Sequence, residues 1–378
     1  MRRSRTFCAV LCAGLLVAGL GDEARGADDP VIKGRRLSRW LTQLRSRNIG
    51  LQMRASRALK AAPEELRPKI VPKLAAILGS DRDNDRFVAA QVLGEYGPAA
   101  RETVPLLVPL LKGTQFERNR AAAAKALGQI LKDARPSPEV ESVARALSAK
   151  YNEDYDNYAD VRRESVRAVG MIGPAAKAVI PRLTRGLTDF KKWSEKHQQV
   201  RQQAAWTCGR MGPLAKEHID RLIAMMHKEG HDLREIVEAI GLIGPVHENV
   251  IPNIMDKIES AGKWLTSHAA FKVAAFEALA RFGEKSAPAA PLIRRFLREL
   301  KNRGRSDLLL KTAALKTLAA IGPAAKEAIP EIESQLRLKT SRVPGVSSEE
   351  SESLFKDVRE AAAKAYESVT GKKPPKTK

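Results

Sequence analysis

Apolar and polar positions alternate along most of the chain with a helical period. In one set of segments Ile180, Leu183 and Leu187 recur as Ile251, Ile254 and Ile258, and again as Ile329, Ile332 and Leu336. In a second set Val161, Ser165, Ala168, Val169 and Ile172 correspond to Val200, Ala204, Thr207, Cys208 and Met211, to Phe271, Ala275, Ala278, Leu279 and Phe282, and to Leu310, Ala314, Thr317, Leu318 and Ile321. Residues three, four and seven apart share one side of a helix, so each set predicts amphipathic helices with one apolar stripe. The two sets alternate, which predicts helix pairs.

Six second helices end in the same punctuation, Gly97-Pro98, Gly173-Pro174, Gly244-Pro245 and Gly322-Pro323, with altered forms at Gly212-Pro213 and Gly283-Glu284; the one over residues 120–131 lacks it and a longer connection, Lys132 to Pro138, follows instead. A further proline follows at Pro105, Pro181, Pro252, Pro330 and Pro291, and Asp220 takes that place after Gly212. Successive glycines lie 76, 39, 32, 39 and 39 residues apart, the first interval being close to two periods. A fixed period of this length marks a solenoid whose units bury their apolar faces only by stacking on neighbours. The glycine is expected to end the helix in a left-handed conformation, which disfavours residues bearing a side chain by roughly 1 kcal/mol or more. The adjacent proline blocks continuation of the helix. The later proline either kinks the next helix or marks its first turn.

The run from Val161 through Gly173-Pro174-Ala175-Ala176 to Pro181 resembles the HEAT repeat, in the form found in phycobilisome lyases. The resemblance covers residues 51–371, counting a last second helix from Val358 to Val369. It implies an all-α, right-handed α-solenoid of about seven to eight antiparallel helix pairs that binds partners along extended faces, and it carries no reaction. HEAT repeats pair the basic residue of the second helix with an acid; this chain keeps the basic residue without a regular acidic partner.

Around the array, residues 1–26 read as a secretory signal peptide: Arg2, Arg3 and Arg5 precede an apolar run over residues 7–20 and a small-residue exit at Ala24-Arg25-Gly26. That run is shorter than the roughly 20 residues needed to span a bilayer, so cleavage is favoured over a retained anchor and no integral membrane segment is expected in the mature chain. Residues 27–50 form a capping helix with Leu37, Trp40, Leu41 and Leu44 on one stripe; Trp40 is expected to close the open end of the stack, with ligand stacking as the other reading. Residues 51–79 are a degenerate first unit, with Ala62-Pro63 in the Gly-Pro position and Pro72 as the later proline. Insertions fall near 132–138, 148–160 and 338–353, and a basic tail covers 372–378.

Composition narrows the partners. The formal charge of +22 falls only to +20 without residues 1–26, which predicts attraction to polyanions. Beyond Cys8 and Cys12 in the leader, Cys208 is the one remaining cysteine, so no intramolecular disulfide is available. Cys208 stands where other units have Val169, Leu279 and Leu318, a buried apolar position.

Eleven residues before the glycine position stand Arg86, Arg120, Arg162, Arg201, Lys272, Lys311 and Arg359, with Leu233 as the one break. The plainer reading is that each packs its stem on a neighbour and bonds backbone carbonyls or a local acid. The sharper one is a basic track for an acidic polymer or protein surface. Lys192-Trp193 and Lys263-Trp264 fall in turns between paired helices, either as lids over the core or as stacking anchors for a partner. The acidic loop from Tyr151 to Asp160 lacks the glycine and distal glutamate of an EF-hand and reads as a solvated insertion. His227 and His231 are separated by Gly230 at a helix end, which argues against paired metal ligands, and the lone His247-Glu248 pair argues against a repeated di-iron site.

No catalytic, metal or cofactor motif emerges, so the expected function is non-enzymatic: an exported scaffold, periplasmic or envelope-associated, holding a protein partner as a monomer or within a hetero-complex. Two alternatives remain at this stage. One is a binder of anionic polysaccharide, or less readily nucleic acid, along the basic row; the other is an accessory subunit of a lyase-like enzyme, by analogy.

Overall fold

The computed structural model describes residues 29–113, 116–151, 157–183, 198–228, 233–261 and 266–375. Residues 1–26, with the expected signal peptide, lie outside them, as do the pairs Lys192-Trp193 and Lys263-Trp264. The chain divides into two compact units, one ending at Leu66 and one beginning at Arg67.

The first unit opens with a feature the helical period does not announce. Strands β1 (Val31–Ile32) and β2 (Arg35–Arg36) form an antiparallel hairpin. Its two turn residues, Lys33 and Gly34, have φ of +47° and +74°, the mirror-image turn that suits the strand twist. Helices α1 (Leu37–Leu44) and α2 (Ile49–Lys60) follow and pack on each other. Trp40 is 5% exposed, donates its Nε1–H to the Ile32 carbonyl at 2.8 Å, and is thereby tied to the hairpin.

The second unit is the repeat array. Its second helices are α4 (Asp83–Tyr96), α6 (Glu117–Ile130), α8 (Ala159–Ile172), α10 (Gln198–Met211), α12 (Arg234–Ile243), α14 (Ala269–Arg281), α16 (Arg305–Ile321) and α18 (Ser348–Thr370). Each packs on the next, so they form one continuous layer. The first helices form the other layer: α3 (Arg67–Leu78), α5 (Val104–Gly113), α7 (Pro138–Ala149), α9 (described over residues 180–183), α11 (Ile219–Lys228), α13 (Val250–Ser260), α15 (Ala290–Glu299) and α17 (Ile329–Leu336). This is an all-α solenoid with the core between the two layers, where the predicted stripes of Ile254, Ile258, Leu279 and Leu318 are fully buried.

The punctuation works more strictly than a left-handed helix cap. Gly97 has φ +57° and ψ −135°, Gly173 +73° and −145°, and Gly322 +69° and −143°. That corner of conformational space is essentially reserved for glycine, whereas asparagine tolerates the ordinary left-handed helical region. After five of these glycines the chain makes a seven-residue 3-10 segment, such as Gly173–Val179, before the next α-helix starts. The later proline therefore stands in the true first turn, as Pro291 and Pro330 do, where a missing N–H costs nothing. Pro72 is different: α3 already begins at Arg67, so Pro72 lies inside it.

A second glycine series sets the spacing of the second-helix layer. Gly94, Gly170, Gly209 and Gly241 lie three residues before a punctuating glycine, and Gly128 takes the same place in the unit that lacks one. A Cβ at Gly128 would lie 2.6 Å from the Ala168 Cα, and one at Gly209 or Gly241 would lie 2.8 or 2.9 Å from the Cα of Ala239 or Ala278. The helices meet backbone to backbone at these points. Five residues before the punctuating glycine, the Thr207 and Thr317 hydroxyls donate across the same seam to the carbonyls of Val166 and Phe276, at 2.9 and 2.8 Å.

Among the described residues one stretch, Arg305–Leu336, is long and apolar enough by composition to cross a membrane. It is broken at Gly322, and 61% of its most apolar window is buried in the array.

Candidate binding edges

The basic row lies largely within the stack. Arg162, Lys272 and Lys311 are 1, 2 and 2% exposed, and Arg86, Arg120, Arg201 and Arg359 are half-buried. Two members close the turn of their own unit: Arg86 donates to the Ser80 carbonyl at 2.5 Å and pairs with Asp83, and Arg359 donates to the Leu338 carbonyl and the Thr340 hydroxyl, both at 3.1 Å. Three reach into the following unit. The Arg120 guanidinium stands 5.7 Å from the Tyr158 ring centre, the Lys272 ammonium 5.8 Å from that of Phe296, and Lys311 Nζ donates to Gln335 Oε1 at 3.1 Å. A track for an acidic polymer needs its charges at the surface, and the three most buried members do not offer them there. The stems pack and the heads bond locally.

Burial changes the chemistry of two of these lysines. Loss of solvation lowers the Lys272 pKa, and the nearby Arg295 lowers it further. Lys311 is brought down to about 8 by desolvation, which the Asp307 carboxylate opposes. Lys311 also lines a cleft of about 440 Å³ with Leu297, Leu300, Asn302, Glu331 and Leu338. Glu331 is held there by Arg294, Nε to Oε2 at 3.1 Å.

Two edges of the array carry exposed apolar groups. At the turn edge, Phe116 and Tyr158 are the residues preceding α6 and α8 and are 47 and 51% exposed. Arg120 stands on Tyr158, and Arg118, near Phe116 in sequence, stands 5.1 Å from the ring centre of Phe87 on the preceding second helix. Sequence placed Trp193 and Trp264 in turns between paired helices, but they fall outside the described residues. At the glycine edge, Leu214, Leu242 and Val246 are 49, 45 and 40% exposed. Leu214 and Val246 each stand two residues after a punctuating glycine, in successive units, and Leu242 two residues before one. Leu242 lies against the end of the preceding second helix, its Cδ1 3.3 Å from where a Gly209 Cβ would be.

The acidic loop and the histidines provide no constellation. Tyr151 is 3% exposed, residues 152–156 lie outside the described set, and Asp160 pairs with Arg163 at 2.9 Å. His227 contacts Asn253 at 2.9 Å and His247 contacts Asp220 at 2.9 Å, while His231 is outside the described residues. Among the described residues no three His, Cys, Asp or Glu side chains are grouped to hold a metal ion. Cys208 is fully buried, and burial pushes its thiol pKa up to about 12, as expected for a core residue.

A sequence profile of HEAT repeats matches residues 71–154. Over those residues the chain is similar to HEAT repeats, and the array as a whole has an all-α solenoid fold. Solved solenoids superpose on it: importin β, at a TM-score of 0.61 and 14% identity, over 88% of this chain and 48% of the other. A chain of a Kap95:Nup1 complex gives 0.57 and 15%, over 86% and 47%, and Kap121p gives 0.55 and 15%, over 88% and 39%. This chain spans about half the length of the importin β chains it matches. No curated sequence matches it.

Proposed function

We propose that the protein is an exported, non-enzymatic scaffold that holds a protein partner against the glycine edge of its solenoid. The observation that carries this reading is the group formed by Leu214, Leu242 and Val246, exposed at equivalent ends of successive repeats. Apolar groups repeated at one edge of a rigid array form a surface that gains by being covered. One of the similar solenoids is itself in a complex, Kap95 with Nup1, which supports protein binding as a use of this architecture. Export rests on the charged and apolar pattern of residues 1–26.

The test is recovery of a stoichiometric protein from envelope extract on the immobilised chain, compared with Leu214→Asp combined with Val246→Asp. The double variant is expected to fold normally and lose at least tenfold in affinity. Recovery of nothing, or of the same protein by the double variant, would sink the reading. Mass spectrometry of the protein from cells tests export separately, since removal of the leader gives an N-terminus near residue 27. The anionic-polymer alternative has less support, since Arg162, Lys272 and Lys311 of its row are buried while Arg86, Arg120, Arg201 and Arg359 are half-buried. The accessory-subunit alternative rests on the resemblance of residues 161–181 alone.

A further inference from the structure

The first unit holds a cluster that the scaffold reading does not use. The hairpin turn, α1 and the outer side of α2 enclose a cavity of about 340 Å³ lined by Lys33, Trp40, Gly50, Arg54, Arg57 and Ala58. Among the described residues three cations line it and no carboxylate does. Lys33, Arg54 and Arg57 have no ion pair or side-chain hydrogen bond among the described residues. The cation beside them is already engaged: Arg35 donates to Gln43 Oε1 at 3.1 Å and lies 4.8 Å from the Trp40 ring centre. A nearby acid, Asp29, is engaged too, accepting from the Ser38 amide and hydroxyl at 2.9 and 2.6 Å. Over residues 29–66 there are nine Lys and Arg against three Asp and Glu.

Three unneutralised cations around one cavity repel each other, and an oxyanion placed among them removes that repulsion while accepting their hydrogen bonds. The same face is also apolar. Ile49, Met53 and Arg57 follow one another at four-residue spacing along α2, beside Gly50 and Arg54 at the same spacing, so two rows run together on one exposed face. Ile49 is 71% exposed and Met53 50%, and Val31 of the hairpin is 62% exposed. A soluble anion would satisfy the cations and leave these side chains in water. A lipid surface takes both, the phosphate among the cations and the apolar groups at the headgroup boundary. In sequence, the apolar run over residues 7–20 ends nine residues before Asp29, so this unit stands beside the membrane during export, before the leader is removed.

We propose that the first unit docks on an anionic membrane surface, with a lipid headgroup phosphate held between Lys33, Arg54 and Arg57 while Ile49, Met53 and Val31 enter the interfacial layer. This does not depend on which protein the repeat array binds.

The test is co-sedimentation of the full chain with vesicles of phosphatidylglycerol and phosphatidylcholine, or of phosphatidylcholine alone. Every sample carries the same leader, so its contribution cancels between variants. Wild type is expected to favour the anionic vesicles, with binding that weakens steeply as salt is raised. Lys33→Gln, Arg54→Gln and Arg57→Gln together are expected to weaken binding about a hundredfold, at about a factor of five per cation. Ile49→Ser with Met53→Ser is expected to weaken it about tenfold and keep the salt dependence. Circular dichroism confirms that each variant is folded. Equal binding by the triple variant, or no preference for anionic lipid, overturns the proposal. Calorimetric binding of inorganic pyrophosphate that needs the three cations, without vesicle binding, also overturns it and assigns the pocket to a soluble phosphate.

Discussion

In the repeat array Arg86 and Arg359 close their own turns, Lys311 bonds Gln335, and Arg162 disappears into the core. In the first unit Lys33, Arg54 and Arg57 meet around a cavity with no such partner. The overall charge hides this contrast: residues 29–66 carry a net +6 and residues 67–378 a net +15, although the second stretch is about eight times as long. Position along the chain thus says less about a cation's role than what surrounds its head group. Charges that are buried and locally bonded hold the stack together, and charges left open at a surface are available to something else.

The contrast breaks first, and by the largest margin, if a buried member of the row can be removed without effect. Arg162→Met keeps much of the stem, deletes the guanidinium and leaves whatever it bonds buried without a donor. The expected loss is about 2–4 kcal/mol, measured by urea unfolding. A loss under about 0.5 kcal/mol would mean that the row is surface-like after all.

A smaller effect is expected at Lys311, and its sign follows from where the proton sits. Burial brings the Lys311 pKa down to about 8 in the folded protein, against 10.5 for an ordinary lysine. Between those values the unfolded chain carries the extra proton, so the Lys311 contribution to stability rises with pH across that window and is least favourable below it. Lys311→Met removes the dependence. The stability difference between wild type and variant should change by about 1–2 kcal/mol over the window, after allowance for water at the mouth of the cleft. A difference independent of pH would show that the ammonium is solvated and that the row is not as enclosed as it is here.

How much of this was readable from residues alone depends on whether it repeats. The stripes of Ile254, Ile258, Leu279 and Leu318 recur in every unit, so their burial follows from period. The punctuation was legible as a helix stop, but the ψ of Gly173 was not, because a sequence shows that glycine is needed without showing which of its conformations is used. Gly94, Gly170, Gly209 and Gly241 stood at a fixed offset and could have been found; a search for apolar stripes passes over glycine, since it adds no hydrophobic area. Burial of Arg162 and Lys272 could not be read from the row. A long cation at the margin of a helix stripe either reaches water or folds its head inward, depending on what the next unit places beside it. The cavity in the first unit is less legible still. It joins a hairpin residue, Lys33, to Arg54 and Arg57 two elements later, and no period connects them. The Lys33-Gly34 turn was the one available signal, as a residue followed by glycine between short extended segments.

The smallest expected effect is also the sharpest statement of the contrast. Arg54→Gln combined with Arg57→Gln removes two charges from α2, as large a change in formal charge as removing two members of the buried row. Both side chains are exposed and unpaired, so no buried group is stranded and no packing is lost. Relief of repulsion with Lys33 and loss of the favourable Arg57 charge in the last turn of α2 act in opposite directions, each worth about a few tenths of a kcal/mol. Unfolding free energy should therefore stay within about 0.5 kcal/mol of wild type. A loss of 2 kcal/mol or more would mean that these arginines are structural in the way Arg162 is, and the distinction between the two regions would collapse. Unchanged stability with a loss of anion-dependent binding is the combination that only a surface charge produces, because a residue that holds the fold together cannot be removed at no structural cost.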